Sequence, residues 1–400
     1  MTTPAAALAP PAEIAAASSR AEVARVAVRD LRLVDFRNYP ALSLASDGRH
    51  VVLAGENGAG KTNVLEALSL LSPGRGLRRA RLDEMSRQGG EGAWSVFARL
   101  DGPDGEVRLG TGSDDVGAEE TRTRRVRVDG EPARSADDLL DFVRVLWLTP
   151  AMDGLFTGPA SERRRFLDRL VLAVDPGHGA RVGAFEKAMR GRNRLLEDDR
   201  LDLDWLAAIE AQMAELGVAV AAARVETVSC LERLIAATRA DAPFPHAELA
   251  LEGEIEALVA GGGPSAIAED AYRARLADGR RRDKAAGRTL DGPHRADLAV
   301  HHGPKTMPAA LSSTGEQKAL LLGLVLAHAR LVGEVTGRAP LLLLDEVAAH
   351  LDPRRRGELF DVVEALGSQC WMTGTDAGAF AALGERAEVF EVNGGRMSRA

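Results

Sequence analysis

A glycine-rich octapeptide between two apolar segments constrains this 400-residue chain more than any other stretch of its sequence. It matches the phosphate-binding loop pattern G-x-x-x-x-G-K-[ST] at every defined position. Its residues are Gly55, Glu56, Asn57, Gly58, Ala59, Gly60, Lys61 and Thr62. The short apolar run at 50–54 predicts a buried strand, and the apolar spacing in 63–71 predicts a helix. Strand, loop and helix in this order predict an α/β fold with a nucleotide site.

The chemistry of nucleotide binding accounts for the residue types in this loop. Glycines allow backbone N–H groups to curve around a phosphate, because no Cβ atom stands in the way. The N-terminus of the following helix adds partial positive charge at the same point. We expect Lys61 to reach the β- and γ-phosphates of ATP, and the hydroxyl of Thr62 to bind Mg²⁺.

Four leucines followed by two acids form a second motif. Residues 341–344 predict a buried parallel strand, and Asp345 and Glu346 follow at the end where ligands bind in open α/β sheets. We expect Asp345 to hold Mg²⁺, directly or through water, and Glu346 to orient or deprotonate the attacking water. Taken alone, such a string is more often the end of an ordinary core strand. Its pairing with the phosphate-binding loop favours catalytic roles for Lys61, Asp345 and Glu346.

The third motif, Leu-Ser-Ser-Thr-Gly-Glu-Gln-Lys at 311–318, opens a strongly apolar helix. The hydroxyl of Ser313, the backbone of Gly315 and the helix N-terminus together predict a second anion site. One chain does not need two γ-phosphate sites, so the economical interpretation is that this site serves the nucleotide of a second subunit. The alternative is an ordinary capping box between Ser313 and Glu316. Both interpretations can hold at once.

The remaining segments predict a mixed architecture. Two antiparallel strands are expected ahead of the phosphate-binding loop, and a meander of short strands after its helix. The pattern becomes helical near Ser161, which is expected to be a helix N-cap. Residues 205–240 predict either one long helical arm or two helices, and residues 241–258 are compatible with strand or helix.

Composition limits the kinds of ligand site and the cellular compartment that are expected for this chain. The formal net charge is −8 and the sequence pI is about 5.6, so any contact with nucleic acid must come from local basic patches. Cys230 and Cys370 are the only cysteines, which excludes a disulfide framework and a Cys-based zinc site and favours the cytoplasm. We expect no membrane span, since the sequence has no long uncharged apolar run.

From about residue 26 to its end, the sequence resembles the ABC-type ATPase heads of chromosome and repair proteins, and most closely the RecF family of bacterial recombination mediators. The resemblance rests on the three motifs above, on Asp-Phe-Arg-Asn-Tyr at 35–39 and on Leu-Asp at 351–352. Two further stretches, Arg-Arg-Arg-Phe-Leu-Asp at 163–168 and Gly-Pro-His-Arg at 292–295, point to this one family among such heads.

The resemblance implies an α/β fold of the ABC-type ATPase head, with a mixed sheet flanked by helices and an inserted helical lobe. We divide the chain accordingly into a disordered tail (1–24), an N-terminal part of the ATPase lobe (25–159), the helical lobe (160–285) and a C-terminal part of the ATPase lobe (286–400).

The resemblance also implies a function. It implies an ATP- and Mg²⁺-dependent homodimer on double-stranded DNA near single-strand gaps and junctions, acting with RecR and RecO in replication, recombinational repair and the SOS response. ATP would be sandwiched between Lys61 of one head and Ser313 of the other, with Asp352 at the seam. Arg37 and Asn38 would contact the nucleotide. A weak, DNA-stimulated ATPase activity would act as a switch that loosens the dimer.

Two departures from transporter-type ATPase heads indicate slow hydrolysis. Transporter heads carry a His after the last core strand, where this chain reads Thr-Gly-Thr-Asp at 373–376. Thr375 or Asp376 is a candidate for part of that role. No Gln occurs near Thr149 and Pro150, where transporter heads place one that contacts the metal.

The sequence counts against three other functions of such a fold. The insert between Lys61 and Ser313 is far longer than in a transporter subunit, yet it is too short and lacks the sustained heptads of an SMC-type coiled coil. The segment after Glu346 is too short for an added nuclease domain. The remaining alternative is a nucleotide-gated protein-binding module without direct DNA binding.

Several basic residues are candidate DNA contacts, although each one alone is more often part of a solvated face. They are Arg75, Arg78, Arg79, Arg81, Arg163, Arg164, Arg165, Arg280, Arg281, Arg282, Lys284, Arg354, Arg355 and Arg356.

Overall fold

The computed structural model describes residues 23–90, 92–113, 123–198, 201–240 and 242–400. The tail predicted over residues 1–24 lies outside this part of the chain except for its last two residues, of which Ala24 forms a parallel bridge with Arg338. The strands are β1 (Ala27–Phe36), β2 (Tyr39–Ala45), β3 (His50–Ala54), β4 (Trp94–Gly102), β5 (Gly105–Ser113), β6 (Arg125–Val128), β7 (Glu131–Pro132), β8 (Val145–Leu148), β9 (Ala247–Glu252), β10 (Asp297–His302), β11 (Met307–Pro308), β12 (Leu341–Leu344), β13 (Cys370–Gly374), β14 (Ala387–Asn393) and β15 (Arg396–Arg399). The α-helices are α1 (Lys61–Ser69), α2 (Ala160–Val174), α3 (His178–Glu197), α4 (Leu203–Thr238), α5 (Glu254–Ala260), α6 (Ser265–Ala286), α7 (Thr314–Thr336) and α8 (Pro353–Ala365).

Strand β3, which precedes the phosphate-binding loop, lies inside a six-stranded sheet of order β15-β14-β3-β13-β12-β8. Neighbouring strands pair in parallel, except that β15 is antiparallel to β14. Every residue of β3, β12 and β13 is buried, as expected for apolar runs inside a parallel sheet. The predicted buried parallel strand at 341–344 is confirmed. The carboxyl ends of β3, β12 and β13 meet at one edge of the sheet.

A second six-stranded sheet, of order β2-β1-β4-β5-β6-β7, is antiparallel throughout. The turn from β6 to β7 consists of Asp129 and Gly130, both with positive φ, as in a two-residue hairpin. Helix α1 packs between the two sheets, because its Leu65 shares an apolar cluster with Leu33 of β1 and Leu53 of β3. The two strands predicted ahead of the loop are therefore part of a larger sheet.

Helix α4 is one unbroken helix of 36 residues. Of the two interpretations of residues 205–240, one long helix is therefore correct and two helices are not. It packs against α3, α5 and α6. The stretch that was compatible with strand or helix contains β9 and the start of α5. Strand β9 joins β10 and β11 in a three-stranded antiparallel sheet. The four-part division of the chain stays a prediction.

Helix α2 begins at Ala160, two residues earlier than an N-cap at Ser161 would require. Pro159 occupies the cap position with φ of −69° and ψ of 151°, and no side chain closes the cap. The proline ring fixes φ, so the extended Pro159 sets the start of the helix at Ala160. Ser161 therefore lies inside the first turn, and its prediction as the N-cap is wrong.

Helices α4 and α7 are long and apolar enough to cross a bilayer by length and composition, with mean hydropathies of 1.4 and 1.6 over their most apolar windows. Much of each window is buried inside the molecule. Leu320, Leu324 and Val332 of α7, for example, lie in the main apolar cluster. Burial in the core accounts for this composition, and the expectation of no membrane span stays a prediction.

Candidate nucleotide site

Two glycines of the phosphate-binding loop adopt conformations that exclude a side chain. Gly55 has a φ of 151°, and a Cβ atom there would lie 2.3 Å from the carbonyl oxygen of Val392. Gly60 has a φ of 114°, and a Cβ atom there would lie 2.5 Å from Nδ2 of Asn38. Both values are far below van der Waals contact, so only glycine fits. The glycines leave the backbone of the loop accessible, and the loop leads directly into the N-terminus of α1, as phosphate binding requires.

Lys61 is the first residue of α1, and only 4% of its surface is exposed. Its Nζ donates hydrogen bonds to the carbonyl oxygens of Gly55 at 2.6 Å and Glu56 at 2.8 Å. The ammonium group therefore lies folded over the loop. A phosphate oxygen, being charged, would compete well against these two neutral acceptors. This placement fits the role predicted for Lys61.

The side chains predicted to bind Mg²⁺ meet at the carboxyl edge of the parallel sheet. Oγ1 of Thr62 donates to the two carboxylate oxygens of Asp345, at 3.0 and 3.2 Å. Oγ1 of Thr373, from β13, donates to Oδ1 of Asp345 at 2.7 Å and accepts the backbone N–H of Glu346 at 2.8 Å. The fold thus joins the phosphate-binding loop, both acids and the end of β13 in one cluster.

This donor set fits a Mg²⁺ ion that binds together with a nucleotide. Among the described residues, no group of three or more His, Cys, Asp or Glu side chains could hold a metal by itself. Mg²⁺ prefers oxygen ligands, and it usually takes few from the protein and the rest from phosphates and water. The hydroxyl of Thr62 and the largely buried carboxylate of Asp345 match that preference.

Glu346 has a left-handed backbone, with φ of 51° and ψ of 24°. This conformation is uncommon for a residue other than glycine and is often found at functional sites. Glu346 lines a small pocket together with Thr149, Asp153 and Lys318. The last two form a salt bridge of 2.8 Å. The pocket therefore connects the acid pair to the first turns of α7.

Arg37 and Asn38, which are predicted to contact the nucleotide, lie in the turn between β1 and β2. Nδ2 of Asn38 donates to the carbonyl of Ala59 at 3.2 Å, and its Oδ1 accepts from Asn63 at 2.7 Å. Arg37 donates two hydrogen bonds to the buried carboxylate of Glu66 in α1. Both side chains thus brace the loop and its helix. Direct contact of either one with the nucleotide stays a prediction.

Ser313 begins α7 with both halves of a capping box, so this alternative is confirmed. Its Oγ accepts the backbone N–H of Glu316 at 3.4 Å, and Oε2 of Glu316 accepts the N–H of Ser313 at 3.0 Å. Hydrogen bonds from Lys305 and from Ser313 lower the pKa of Glu316 to about 2. Among the described residues, a Cβ atom built on Gly315 would meet nothing within 4 Å. Open space therefore borders this helix start.

Asp352, predicted to lie at a dimer seam, is the N-cap of α8. Its Oδ1 accepts the backbone N–H of Arg355 at 3.0 Å, and this bond contributes most to lowering the pKa of Asp352. About half of the side chain is exposed. The position suits a surface contact, and the role at the seam stays a prediction.

The two most family-specific stretches of the sequence meet through a buried arginine. Asp168 accepts hydrogen bonds from Arg224 at 2.8 and 3.0 Å and from His178 at 2.8 Å. Burial alone would raise the pKa of Asp168, but these partners outweigh it and lower the pKa. Arg224 also donates to the carbonyl of Pro293 at 2.7 Å. Sequence reasoning missed Arg224, because it lies in an alanine-rich helix without a motif.

The structure separates the candidate DNA contacts by whether their charge already has a partner. Arg165 lies 3.9 Å from Glu162, which is a long ion pair. Closer hydrogen bonds or ion pairs, of 3.7 Å or less, are formed by Arg78, Arg81, Arg163, Arg164, Arg280, Arg282, Lys284, Arg354 and Arg355. Within the described ranges, no side-chain hydrogen bond or ion pair engages Arg75, Arg79, Arg281 or Arg356.

Some of these arginines form a cluster between the loop after α1 and helix α2. Burial, together with the positive charges of Arg165 and Arg75, lowers the pKa of Arg79. Arg169, one turn after Arg165, lies over the ring of Trp147 at 4.4 Å, and burial with the charge of Arg79 lowers its pKa to about 9. We call these four residues the arginine cluster. Positive charges that depress one another in this way favour an anion between them.

Comparison with known proteins extends over nearly the whole chain. The family model described as RecF/RecN/SMC N terminal domain matches residues 27–398. A protein named DNA replication and repair protein RecF, from Rhizobium etli, is 59% identical over 373 residues, which are 93% of this chain and 99% of that protein. A protein of the same name from Agrobacterium fabrum is 59% identical over 375 residues, 94% of this chain and 99% of that one.

Solved structures show the same fold. A structure described as the recombination mediator protein RecF-ATPrS in the RecFOR pathway has a TM-score of 0.81 at 22% identity, covering 94% of this chain and 98% of that one. An Smc head bound to the C-winged helix domain of ScpA has a TM-score of 0.54 at 15% identity, covering 94% and 97%. The predicted fold, an α/β ATPase head of the ABC and SMC type, is confirmed.

Proposed function

Because this chain belongs to the RecF family of ABC- and SMC-type ATPases, we propose that it is an ATP-dependent DNA-binding protein of DNA replication and recombinational repair. One observation carries the proposal. Thr62 of the phosphate-binding loop and Asp345 after β12 lie in hydrogen-bond contact, and Glu346 is the next residue. Phosphate-binding, metal-binding and water-activating groups therefore share one edge of the sheet, where α/β proteins bind ligands.

Each residue of the site has a task that its position supports. The bare backbone of the loop holds the phosphates, and Nζ of Lys61 turns from its two carbonyl partners to the β- and γ-phosphates. Thr62 and Asp345 hold Mg²⁺, which offsets the negative charge of the phosphates when it is bound. The carboxylate of Glu346 orients the attacking water or accepts its proton.

Two copies of the chain form a dimer around ATP. The hydroxyl of Ser313 and the open helix start at Gly315 bind the nucleotide of the partner, with Asp352 at the seam. Loss of the γ-phosphate removes this contact, so the dimer loosens. Hydrolysis is slow because the chain has neither the His nor the Gln of transporter heads. ATP then controls how long the protein stays on DNA.

The arginine cluster is part of the DNA-binding surface, since Glu162, at 3.9 Å from Arg165, offsets only part of its positive charge. Replacing Arg79 and Arg165 together with Ala lowers duplex affinity and reduces the salt slope by about 2, because each lost phosphate contact removes about 0.9. Arg354→Ala is the matched control, because Glu358 already pairs with that guanidinium at 2.7 Å. An unchanged salt slope in the double variant would refute the assignment of the arginine cluster to the DNA-binding surface.

A solved relative is described as belonging to the RecFOR pathway, which supports RecR- and RecO-type partners for this chain. We further propose that it acts in the cytoplasm near single-strand gaps and in the SOS response, where it helps its partners to load recombinase. The alternative is a nucleotide-gated module that binds only proteins. Duplex binding discriminates the two, since a clamp with 6–10 phosphate contacts loses roughly 10³–10⁵ in affinity between 50 and 200 mM salt.

Sedimentation velocity of the wild type and of Glu346→Gln, with and without ATP and a short duplex, tests the proposal. We expect ATP to shift monomers to dimers, and we expect the substitution to trap the dimer because it preserves binding but slows hydrolysis. Ser313→Arg serves as the matched variant that binds ATP without dimerising. Monomers throughout, with ATP still bound, would refute the sandwich mechanism.

A further inference from the structure

Thr373 connects the two acids of the nucleotide site, and no motif of the sequence assigns it a role. It is the fourth residue of β13 and is fully buried. Its hydroxyl donates to Oδ1 of Asp345 at 2.7 Å and accepts the backbone N–H of Glu346 at 2.8 Å. One oxygen atom therefore contacts the side chain of the first acid and the backbone of the second.

We propose that Thr373 is a positioning residue for the proposed ATPase reaction: its hydroxyl fixes the Asp345 carboxylate for the metal and the direction of Glu346. The inference rests on the proposed function and deepens it. Thr373 itself is not a catalytic residue, because it acts through the two acids.

The hydrogen bonds at Asp345 explain why a hydroxyl is needed. Oδ1 accepts two O–H groups, from Thr373 at 2.7 Å and from Thr62 at 3.0 Å, whereas the one described partner of Oδ2 is Thr62, at the longer distance of 3.2 Å. A carboxylate oxygen offers about two acceptor directions, so Oδ1 is occupied and Oδ2 keeps capacity for a cation or its water. The hydroxyl of Thr373 therefore determines which oxygen stays free.

The backbone of Glu346 shows the second part of this role. Its left-handed conformation, with φ of 51°, is disfavoured for a glutamate and persists only where neighbouring groups hold it. Its N–H group is held by Thr373 at 2.8 Å. Without that acceptor, the peptide can relax toward an ordinary conformation, which would turn the carboxylate of Glu346 away from its present direction.

The two residues that the sequence suggested for this place have other positions. The carboxylate of Asp376 accepts the backbone N–H of Gly378 at 2.8 Å and so caps the following turn. Thr375 is exposed at the surface. Among residues 373–376, only Thr373 has a side chain that reaches the acid pair in the described structure.

The test uses Thr373→Val, which preserves the shape of the side chain and removes the hydroxyl, together with Thr373→Ser, which retains the hydroxyl. Mg²⁺ is expected to increase the affinity of the protein for a non-hydrolysable ATP analogue. The first readout is the Mg²⁺ concentration that produces half of this increase. We expect Thr373→Val to raise it 10- to 100-fold, the usual effect of losing a group that orients a metal ligand. Binding of the analogue in EDTA should not change. Thr373→Ser should stay within about threefold of the wild type.

The second readout is turnover at saturating ATP and Mg²⁺, which we expect to fall 10- to 100-fold in Thr373→Val, with KM changing less. Thr227→Val is the matched control, because it removes another buried threonine hydroxyl, one that donates to the Ala223 carbonyl inside α4. It should leave both readouts unchanged. Should Thr373→Val fail to fold, Thr373→Ser and Thr373→Ala form a pair that differs only in the hydroxyl.

A folded Thr373→Val protein with the Mg²⁺ requirement and turnover of the wild type would overturn this inference and leave the proposed function intact. In contrast, a wild-type protein whose affinity for the analogue does not respond to Mg²⁺ would count against the proposed nucleotide site itself.

Discussion

His328 should make this protein lose stability between pH 7 and pH 5. It lies in the middle of α7 and is fully buried. Its Nε2 lies 2.9 Å from the carbonyl oxygen of Leu170 in α2, which makes Nε2 the protonated nitrogen, and Nδ1 has no partner among the described residues. Burial, assisted by the charge of Arg169, lowers the pKa of His328 to about 4 despite the hydrogen bond to Leu170.

The size and sign of the effect follow from proton linkage. In the unfolded chain a histidine has a pKa of about 6.5, so it takes up a proton as the pH falls from 7 to 5, whereas the folded protein keeps His328 neutral. The unfolded state then binds more protons, and the free energy of unfolding falls. The stabilisation is complete above pH 6.5 and is lost as the pH falls toward 4. Between pH 7 and pH 5 the loss from this residue amounts to about 2 kcal/mol.

Urea denaturation of the wild type and of His328→Gln at pH 7 and pH 5 measures this loss. Glutamine does not titrate and can still donate a hydrogen bond to the carbonyl of Leu170. The wild type should therefore lose about 2 kcal/mol more than the variant between the two pH values. His301→Gln, at a partly exposed position of β10, serves as the control. Equal losses in the wild type and His328→Gln would refute the reasoning.

Three further predictions concern the site and the core. Gly60→Ala should weaken ATP binding at least tenfold in calorimetry and also lower Tm, because the new Cβ meets Asn38 at 2.5 Å where φ is 114°; wild-type affinity would contradict this. Asp168→Asn should cost about 3 kcal/mol in urea denaturation, since the charge of Arg224 loses its main partner, and a loss below 1 kcal/mol would contradict it. Leu343→Ala should cost about 3 kcal/mol by leaving a cavity in the central sheet, whereas exposed Leu311→Ala should cost little.

Local patterns predicted most of the elements that build the site. The phosphate-binding loop, the four-leucine strand before Asp345 and the capping box at Ser313 each depend on neighbouring residues, so they can be read from the chain. The errors and open questions arose where a local preference competed with another constraint. Pro159 set the start of α2 in place of Ser161, and tertiary packing decided that α4 is one helix.

The state of each charge could not be predicted in the same way. Arginines at 163–165 look alike in the sequence, yet Arg163 pairs with Asp297 at 2.7 Å, while Arg165 contacts Glu162 at 3.9 Å. A sequence shows where charges are but not which opposite charges the fold brings near them. Only the structure could therefore separate the arginines whose charge is paired within the fold from those that remain candidate DNA contacts.

The sequence by itself predicted a nucleotide site and the loop and acids that would form it, because these motifs are contiguous and their chemistry depends on local backbone geometry. Only the tertiary structure decided how the parts meet. Parallel pairing of β3, β13 and β12 brings Thr62, Asp345 and Thr373 to one edge of the sheet, although Thr62 and Asp345 are 283 positions apart. Such contacts depend on strand order and register, which the long-range packing of apolar strands sets and no short motif records.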